Sequence, residues 1–208
     1  MTPRDTARAW LDDPLGVVLD FETTALDGYA VEVGIVNMTG EALLHARLKP
    51  LAPMDPRAEA VHGITLDALA ECPTFAQMKG RLREVLHGRN VVAYNAAFDC
   101  GVFQRERARL MLDEQADLTP LSWRCAMLLW GQHLGVRKWQ RLPGGDHSAL
   151  GDARAALEVV RRIAGAPCAE LARTRLACAF RCLDCNKVVG PTVTSRGEAL
   201  PTRCGRDV

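Results

Sequence analysis

No stretch of eighteen apolar residues occurs in these 208 residues, and no basic segment followed by an apolar run opens the chain. The first absence excludes a membrane-spanning helix. The second leaves a soluble, cytoplasmic protein as the expectation. An internal repeat and a low-complexity tract are also missing, so the chain does not read as a repeat array or a linker. Nor does one sign of charge dominate: 26 Lys and Arg against 25 Asp and Glu leave a net charge of +1, which by itself says nothing about a nucleic-acid partner.

The length that is present suffices for one full core plus an appendage, and two complete domains would be a squeeze. The main domain is expected over residues 14–165 and a tail over 166–208, with Met1 to Pro14 an ordinary polar lead-in. Charge is unevenly spread between the two. The tail carries seven Lys and Arg against four Asp and Glu, or +3, which leaves 19 against 21, or −2, for residues 1–165. Bound metal reverses the local sign of an acidic site, so this excess does not argue against a phosphate substrate. Eight cysteines without a secretion signal read as thiols or metal ligands rather than disulfides. Cys72, Cys100 and Cys125 stand singly among apolar neighbours, as small buried hydrophobes do.

Gly16 to Glu22 forms a β-branched-rich run, Ala30 to Val36 alternates more loosely, and Glu41 to Leu48 follows the Thr39-Gly40 turn. An antiparallel meander of three strands is the simplest fit. Thr65 to Ala70 and Thr74 to Leu86 show helical spacing, with Thr74 as N-cap after Pro73. Asn90 to Tyr94 predicts a buried fourth strand, and Ala97 to Leu112 and Trp123 to Leu134 predict helices. A basic loop, Gly135 to Gly145, precedes a last helix over Ser148 to Ile163. Strands followed by strand–helix alternation predict an α/β fold with a mixed central sheet, antiparallel meander plus parallel strands, flanked by helices.

Four acids carry the chemical argument. Asp20 and Glu22 are two apart on a strand, so both carboxylates project from one face while Phe21 points to the other. Such a pair repels unless a cation sits between its members, although surface strands also carry paired acids. On a wheel of 100° per residue, Asp152 falls among Val159, Ile163, Ala156 and Val160, opposite Arg154, Glu158, Arg161 and Arg162. An uncompensated carboxylate in that inward sector is expensive, unless a neighbouring donor or a cap satisfies it. His147 is five residues earlier, which on a helix would turn it about 140° from Asp152. It therefore belongs in the loop before the helix, where it can face the same pocket and move a proton near neutral pH. Asp99 shares a helical sector with Phe98, Val102, Phe103 and Leu110, and Asn95-Ala96-Ala97 offers a strand-to-helix turn where backbone can approach a ligand. An acidic residue favoured by the helix dipole is the competing account of Asp99.

Taken in order, Asp20-Phe21-Glu22-Thr23-Thr24, Tyr94-Asn95-Ala96-Ala97-Phe98-Asp99 and His147-Ser148-Ala149-Leu150-Gly151-Asp152 resemble the three motifs of the DEDDh, or DnaQ-like, family of 3′→5′ exonucleases. Val61-His62-Gly63-Ile64-Thr65 resembles the His-Gly-Ile segment between the first two. Ala25 is a departure, since many relatives carry Gly after the Thr pair. The resemblance implies a ribonuclease H-like fold and two Mg²⁺ or Mn²⁺ ions, with Asp20, Glu22 and Asp152 holding the first and Asp20 reaching the second. It implies that Asp99 helps through water and that His147 is the general base. In such sites the ions sit about 3.5–4 Å apart, and oxygen ligands suit hard ions. The implied substrate is nucleic acid with a free 3′ end, DNA before RNA, the implied products are nucleoside 5′-monophosphates, and a polymerase or repair partner is an open expectation. Thr23, Thr24, His62, Asn95 and Phe98 are the family-like candidates for contacting the terminal nucleotide.

The loop Val136 to Arg141 mixes three cations with Trp139, which suits phosphate contacts and base stacking, or equally a solvated basic loop around a packed Trp. In the tail, Cys182-Leu183-Asp184-Cys185 followed by Cys204 resembles a zinc knuckle, with Cys178 or Asp207 as fourth ligand. Reduced thiols in a small hairpin are the alternative. An exonuclease-like fold that merely presents this tail as a nucleic-acid or protein adaptor is the rival to an enzyme, and the intact acid set favours the enzyme.

Overall fold

The central strand of the sheet is also the one that carries Asp20 and Glu22. The computed structural model describes residues 1–110 and 118–165, together with four two-residue strands in the tail. β1 (Gly16–Thr23) pairs antiparallel with β2 (Ala30–Asn37), which pairs antiparallel with β3 (Ala42–Arg47). On its other side β1 pairs parallel with β4 (Asn90–Ala93), and β4 pairs parallel with β5 (Ser122–Cys125), giving the order β3-β2-β1-β4-β5. The expected mixed sheet with an antiparallel meander is therefore present.

Alternation along β1 decides what each face meets. Val17, Leu19 and Phe21 enter one core with Leu82, Leu86, Val102 and Phe103, from α3 (Phe75–Leu86) and α4 (Ala96–Ala108). Val18 enters the other with Val36, Val92, Trp130 and the apolar stripe of α6 (Ala149–Ala164). Asp20 and Glu22 continue the Val18 side, so both acids emerge toward α6. The caps are local and legible: Thr74 and Gln77 bond reciprocally at the start of α3, and Ser148 accepts the Gly151 N–H at 3.1 Å at the start of α6. Gly165, at φ 73°, closes α6 in the left-handed conformation.

The structure departs from the sequence expectations at five places. Residues 3–11 are helix α1, not a lead-in; Thr2 and Asp5 form a capping box, Ala7 is fully buried in the α6-side core, and Arg8 Nε donates to Ala164 O at 3.2 Å. α2 (Pro56–His62) follows an Asp55 cap with proline in its first turn, but it buries no residue and so leaves no apolar stripe to read. The segment Thr65 to Ala70 contains only a 3-10 turn, Asp67–Leu69. Trp123 to Cys125 belongs to β5, because pairing with β4 overrides the helical spacing there, and helix α5 (Ala126–Leu134) starts only at Ala126. Cys72, Cys100 and Cys125 are half-buried rather than enclosed.

Two compact units divide the chain, Met1–Ala166 and Pro167–Val208. In the second, β6 (Phe180–Arg181) pairs antiparallel with β7 (Val188–Val189), and β8 (Thr192–Val193) with β9 (Ala199–Leu200). Cys178, Cys182, Cys185, Cys204 and Asp207 lie outside the described residues. Among the described residues, no helix is long and apolar enough to cross a membrane.

Candidate active site

The acids meet at the carboxyl ends of the parallel strands, where open α/β sheets usually bind ligands. α6 reaches this point by lying across β2 at Gly34, the register partner of Asp20. A Cβ on Gly34 would fall 2.4 Å from the carbonyl carbon and oxygen of Ala149 and from Leu150 N. No side chain fits there, and the contact delivers Asp152 to the sheet one turn later. One carboxylate oxygen each from Asp20, Glu22 and Asp152 lies within 4.8 Å of the others. Asp152 is only 9% exposed, as its helical sector requires.

Asp99 comes from the other layer. It occupies the first turn of α4, is 2% exposed, and accepts the Phe21 N–H at 3.1 Å. A carboxylate from α4 thus bonds the β1 backbone at Phe21, the residue between Asp20 and Glu22.

No Lys or Arg among the described residues makes an ion pair with Asp20, Glu22, Asp99 or Asp152, and burial together with repulsion from neighbouring carboxylates raises all four toward their protonated forms. Burial, and then the negative charges of Asp152 and Glu32, push Glu22 up to about 8. Burial pushes Asp99 to about 7 against the lowering effect of backbone donors. Asp20 is raised well above the carboxylate range by burial, then by Asp99, Glu22 and Asp152. Asp152 is raised by burial despite accepting two N–H groups. The gathered oxygens of Asp20, Glu22 and Asp152 are the donor type that fits a hard divalent metal, with Asp99 beside them.

His147 enters from the loop, as the five-residue spacing requires. Its φ of 61° is the single positive φ outside glycine among the described residues, and it occurs where the chain turns tightly onto Asp152. Asp152 Oδ1 accepts the N–H groups of Asp146 at 2.9 Å and His147 at 3.2 Å. The wrap needs two glycines: a Cβ on Gly145 would be 2.8 Å from Asp152 Oδ1, and one on Gly151 would be 2.1 Å from Asp146 Oδ1. His147 lines a cavity of about 210 Å³ together with Asp20, Asn95, Phe98, Asp99 and Asp152.

The remaining candidates divide. Asn95 and Phe98 line the cavity, whereas Thr23, Thr24 and His62 do not. Thr24 Oγ1 accepts the Tyr29 N–H at 3.0 Å and shapes the β1–β2 turn. His62 uses both ring nitrogens internally: Nδ1 accepts the Ile64 N–H at 3.0 Å, so Nε2 carries the proton and donates to Thr23 O at 3.2 Å. Its role on this geometry is to fix the end of β1.

Glu32 was not singled out from sequence. It is 3% exposed, faces Glu22 across the β1–β2 pair, and accepts the Ala149 N–H at 2.8 Å and His45 Nε2 at 3.2 Å. It tethers the start of α6 to β2. The available signal was a lone acid inside the apolar Ala30 to Val36 run.

Because Gly34 sets the approach of α6, Gly34→Ala is expected to push the helix start outward. A loss of about 1–3 kcal/mol in urea unfolding should follow, with activity falling roughly 10²-fold through misplaced ligands. Wild-type stability and turnover in this variant would refute the contact's importance.

Residues 17–160 match the RNase_T family, described as exonuclease. An uncharacterized exonuclease, CP81, of Escherichia phage 186 is 28% identical over 76% of this chain and 92% of its own length. The DNA polymerase III subunit epsilon of Escherichia coli strain K12 is 35% identical over 47% of this chain and 45% of its own, so this chain spans under half of that relative. A solved structure of exonuclease X in complex with 5′ overhanging duplex DNA superposes with a TM-score of 0.51 at 24% identity, over 76% of this chain and 98% of that one, which is a likeness of fold. With the family match running from the start of β1 to within a turn of the end of α6, around the gathered acids, this chain belongs to the RNase_T exonuclease family of the DnaQ-like type.

Proposed function

We propose that the protein is a divalent-metal-dependent 3′→5′ exonuclease that removes nucleoside 5′-monophosphates from DNA ends. The observation that carries this reading is the convergence of Asp20, Glu22 and Asp152 oxygens within 4.8 Å beside a cavity that His147 also lines. The naming of relatives for a DNA polymerase subunit and for a DNA complex favours DNA. A polymerase or repair assembly is the partner class in keeping with them.

Asp20, Glu22 and Asp152 would hold one Mg²⁺ or Mn²⁺, Asp20 would share a second, and Asp99 would support it through water. When bound, such ions activate water and stabilise the departing 3′ oxygen in an in-line displacement. The chain's own part is then positional and protonic. His147 accepts the proton of the attacking water on a ring nitrogen. The Asp146 and His147 N–H groups orient Asp152, and the Phe21 N–H orients Asp99. Asn95 and Phe98, on the cavity wall, contact the terminal nucleotide. Thr23, Thr24 and His62 keep the adjoining strand end in place.

End-labelled oligonucleotides test this directly. With Mg²⁺ or Mn²⁺, a 3′ label should leave at once as mononucleotide while a 5′ label marks a ladder of shortening strands, and EDTA should stop both. Mononucleotide release from the 5′ end first, or none from either end, would sink the reading. RNA of the same sequence, run alongside, reports the sugar preference.

A further inference from the structure

We propose that Trp139 and Arg141 form a stacking and phosphate-holding wall for a single-stranded DNA 3′ end, a subsite that rests on the nuclease reading above. Trp139 is 68% exposed although it is the largest apolar side chain of its loop. An indole left in water forgoes the burial that ordinarily places it. It is not on an unanchored segment. Tyr94, 5% exposed at the end of β4, places its hydroxyl 2.9 Å from Gln140 O and 3.0 Å from Arg141 O, directly beside the Trp139 position. A hydroxyl has one proton to donate, so these two carbonyls share it.

That latch presents Trp139 and Arg141 to the same cavity as Asp20, Asp99, His147 and Asp152. The ring supplies a π face for a base, and the guanidinium supplies forked donors for a phosphate oxygen. The carboxylates of the same cavity would repel that phosphate without metal, and Arg141 is the fixed cation that the loop brings to its lining. A cavity of about 210 Å³ is smaller than the ~300–1,000 Å³ typical of sites for drug-sized ligands. A half-open cavity of this size leaves no room for a base pair beside the acids, so the proposed occupant is single-stranded at its end, with part of the nucleotide outside the cavity. Stacking is sequence-tolerant, so this wall would grip any base.

Tryptophan emission of the full chain reads the contact without relying on turnover. Trp130 is buried and Trp10 and Trp123 are half-buried, so acrylamide reaches mainly Trp139. With Mg²⁺ and a single-stranded oligonucleotide carrying terminal phosphorothioate linkages to slow hydrolysis, most of the quenching should disappear in the wild type. In Trp139→Phe the oligonucleotide should change quenching little. Trp139→Ala should weaken oligonucleotide binding about 10-fold, and Trp139→Phe, which keeps a ring, should recover most of it. Undiminished quenching with oligonucleotide bound, or equal affinity in the Ala and Phe variants, would overturn the proposal. Equal protection by a blunt duplex would overturn its single-strand part. Protection by this oligonucleotide, with no mononucleotide released from an unmodified one of the same sequence, would support the subsite and refute the nuclease reading, whereas degradation of the unmodified strand without protection would refute the subsite alone.

Discussion

Asp20→Asn is expected to abolish nuclease activity, by roughly 10³-fold or more, while making the metal-free protein more stable. The two effects have one origin. Asp20 is buried against Asp99, Glu22 and Asp152, each of which raises its affinity for a proton. Removing its charge relieves repulsion in the folded chain by about 1–3 kcal/mol and removes a ligand shared by the proposed ions. The cluster's pH dependence has a definite sign. The Glu22 carboxyl, ordinarily near 4.5, is held at about 8. Between those values the folded state binds more protons than the unfolded one, so metal-free stability falls as pH rises through the window. The extra stability is fully present below the unfolded value and gone above about 8. Urea unfolding in EDTA at pH 5 and pH 8 should show the decline in wild type and a shallower one in Asp20→Asn. Added Mg²⁺ or Mn²⁺ should reverse it at pH 8 in the wild type only. A flat profile, or a variant less stable than wild type in EDTA, would remove the cation-site argument.

Replacing His147 should cost about 10²–10⁴-fold in kcat and leave metal binding nearly intact. The choice of substitution matters because His147 is left-handed at φ 61°. Asparagine tolerates that conformation and alanine does not, so His147→Asn removes the base without disturbing the N–H that orients Asp152. Calorimetric titration with Mn²⁺ should then match the wild type while turnover collapses. His147→Gly, equally at ease in this turn, should regain part of its activity with free imidazole. Failure of imidazole to help, with the fold shown intact by circular dichroism, would assign His147 a structural role and leave the base unidentified.

The site was more legible in the sequence than its frame. Asp152 could be placed because a long amphipathic helix has one inward sector, and His147 because five helical steps forbid a shared face. α1 is short, so its apolar face amounts to Ala7, Trp10 and Leu11 and is easily read as a polar lead-in, whereas α2 buries nothing and is marked only by its cap. β5 was hidden because four half-buried residues carry little periodicity, and only their pairing with β4 makes them a strand. The role of Glu32 depends on an N–H 117 residues away, which no local pattern encodes. The same holds for His62, whose partners define it as a brace for β1.

The proposed metal ligands and the proposed base stand on differently anchored parts of the fold, which are expected to open separately. Asp20 and Glu22 belong to β1, the central strand, and are paired there with β2 along their whole stretch, whereas His147 ends a loop tied down chiefly by the Tyr94 hydroxyl and by Asp152. Amide exchange would sort these into a slow unit and a fast one. A sub-global fluctuation can therefore lift the base away while the carboxylate nest persists. In rising denaturant, turnover would fade ahead of ion retention, and the inactive species would still be folded.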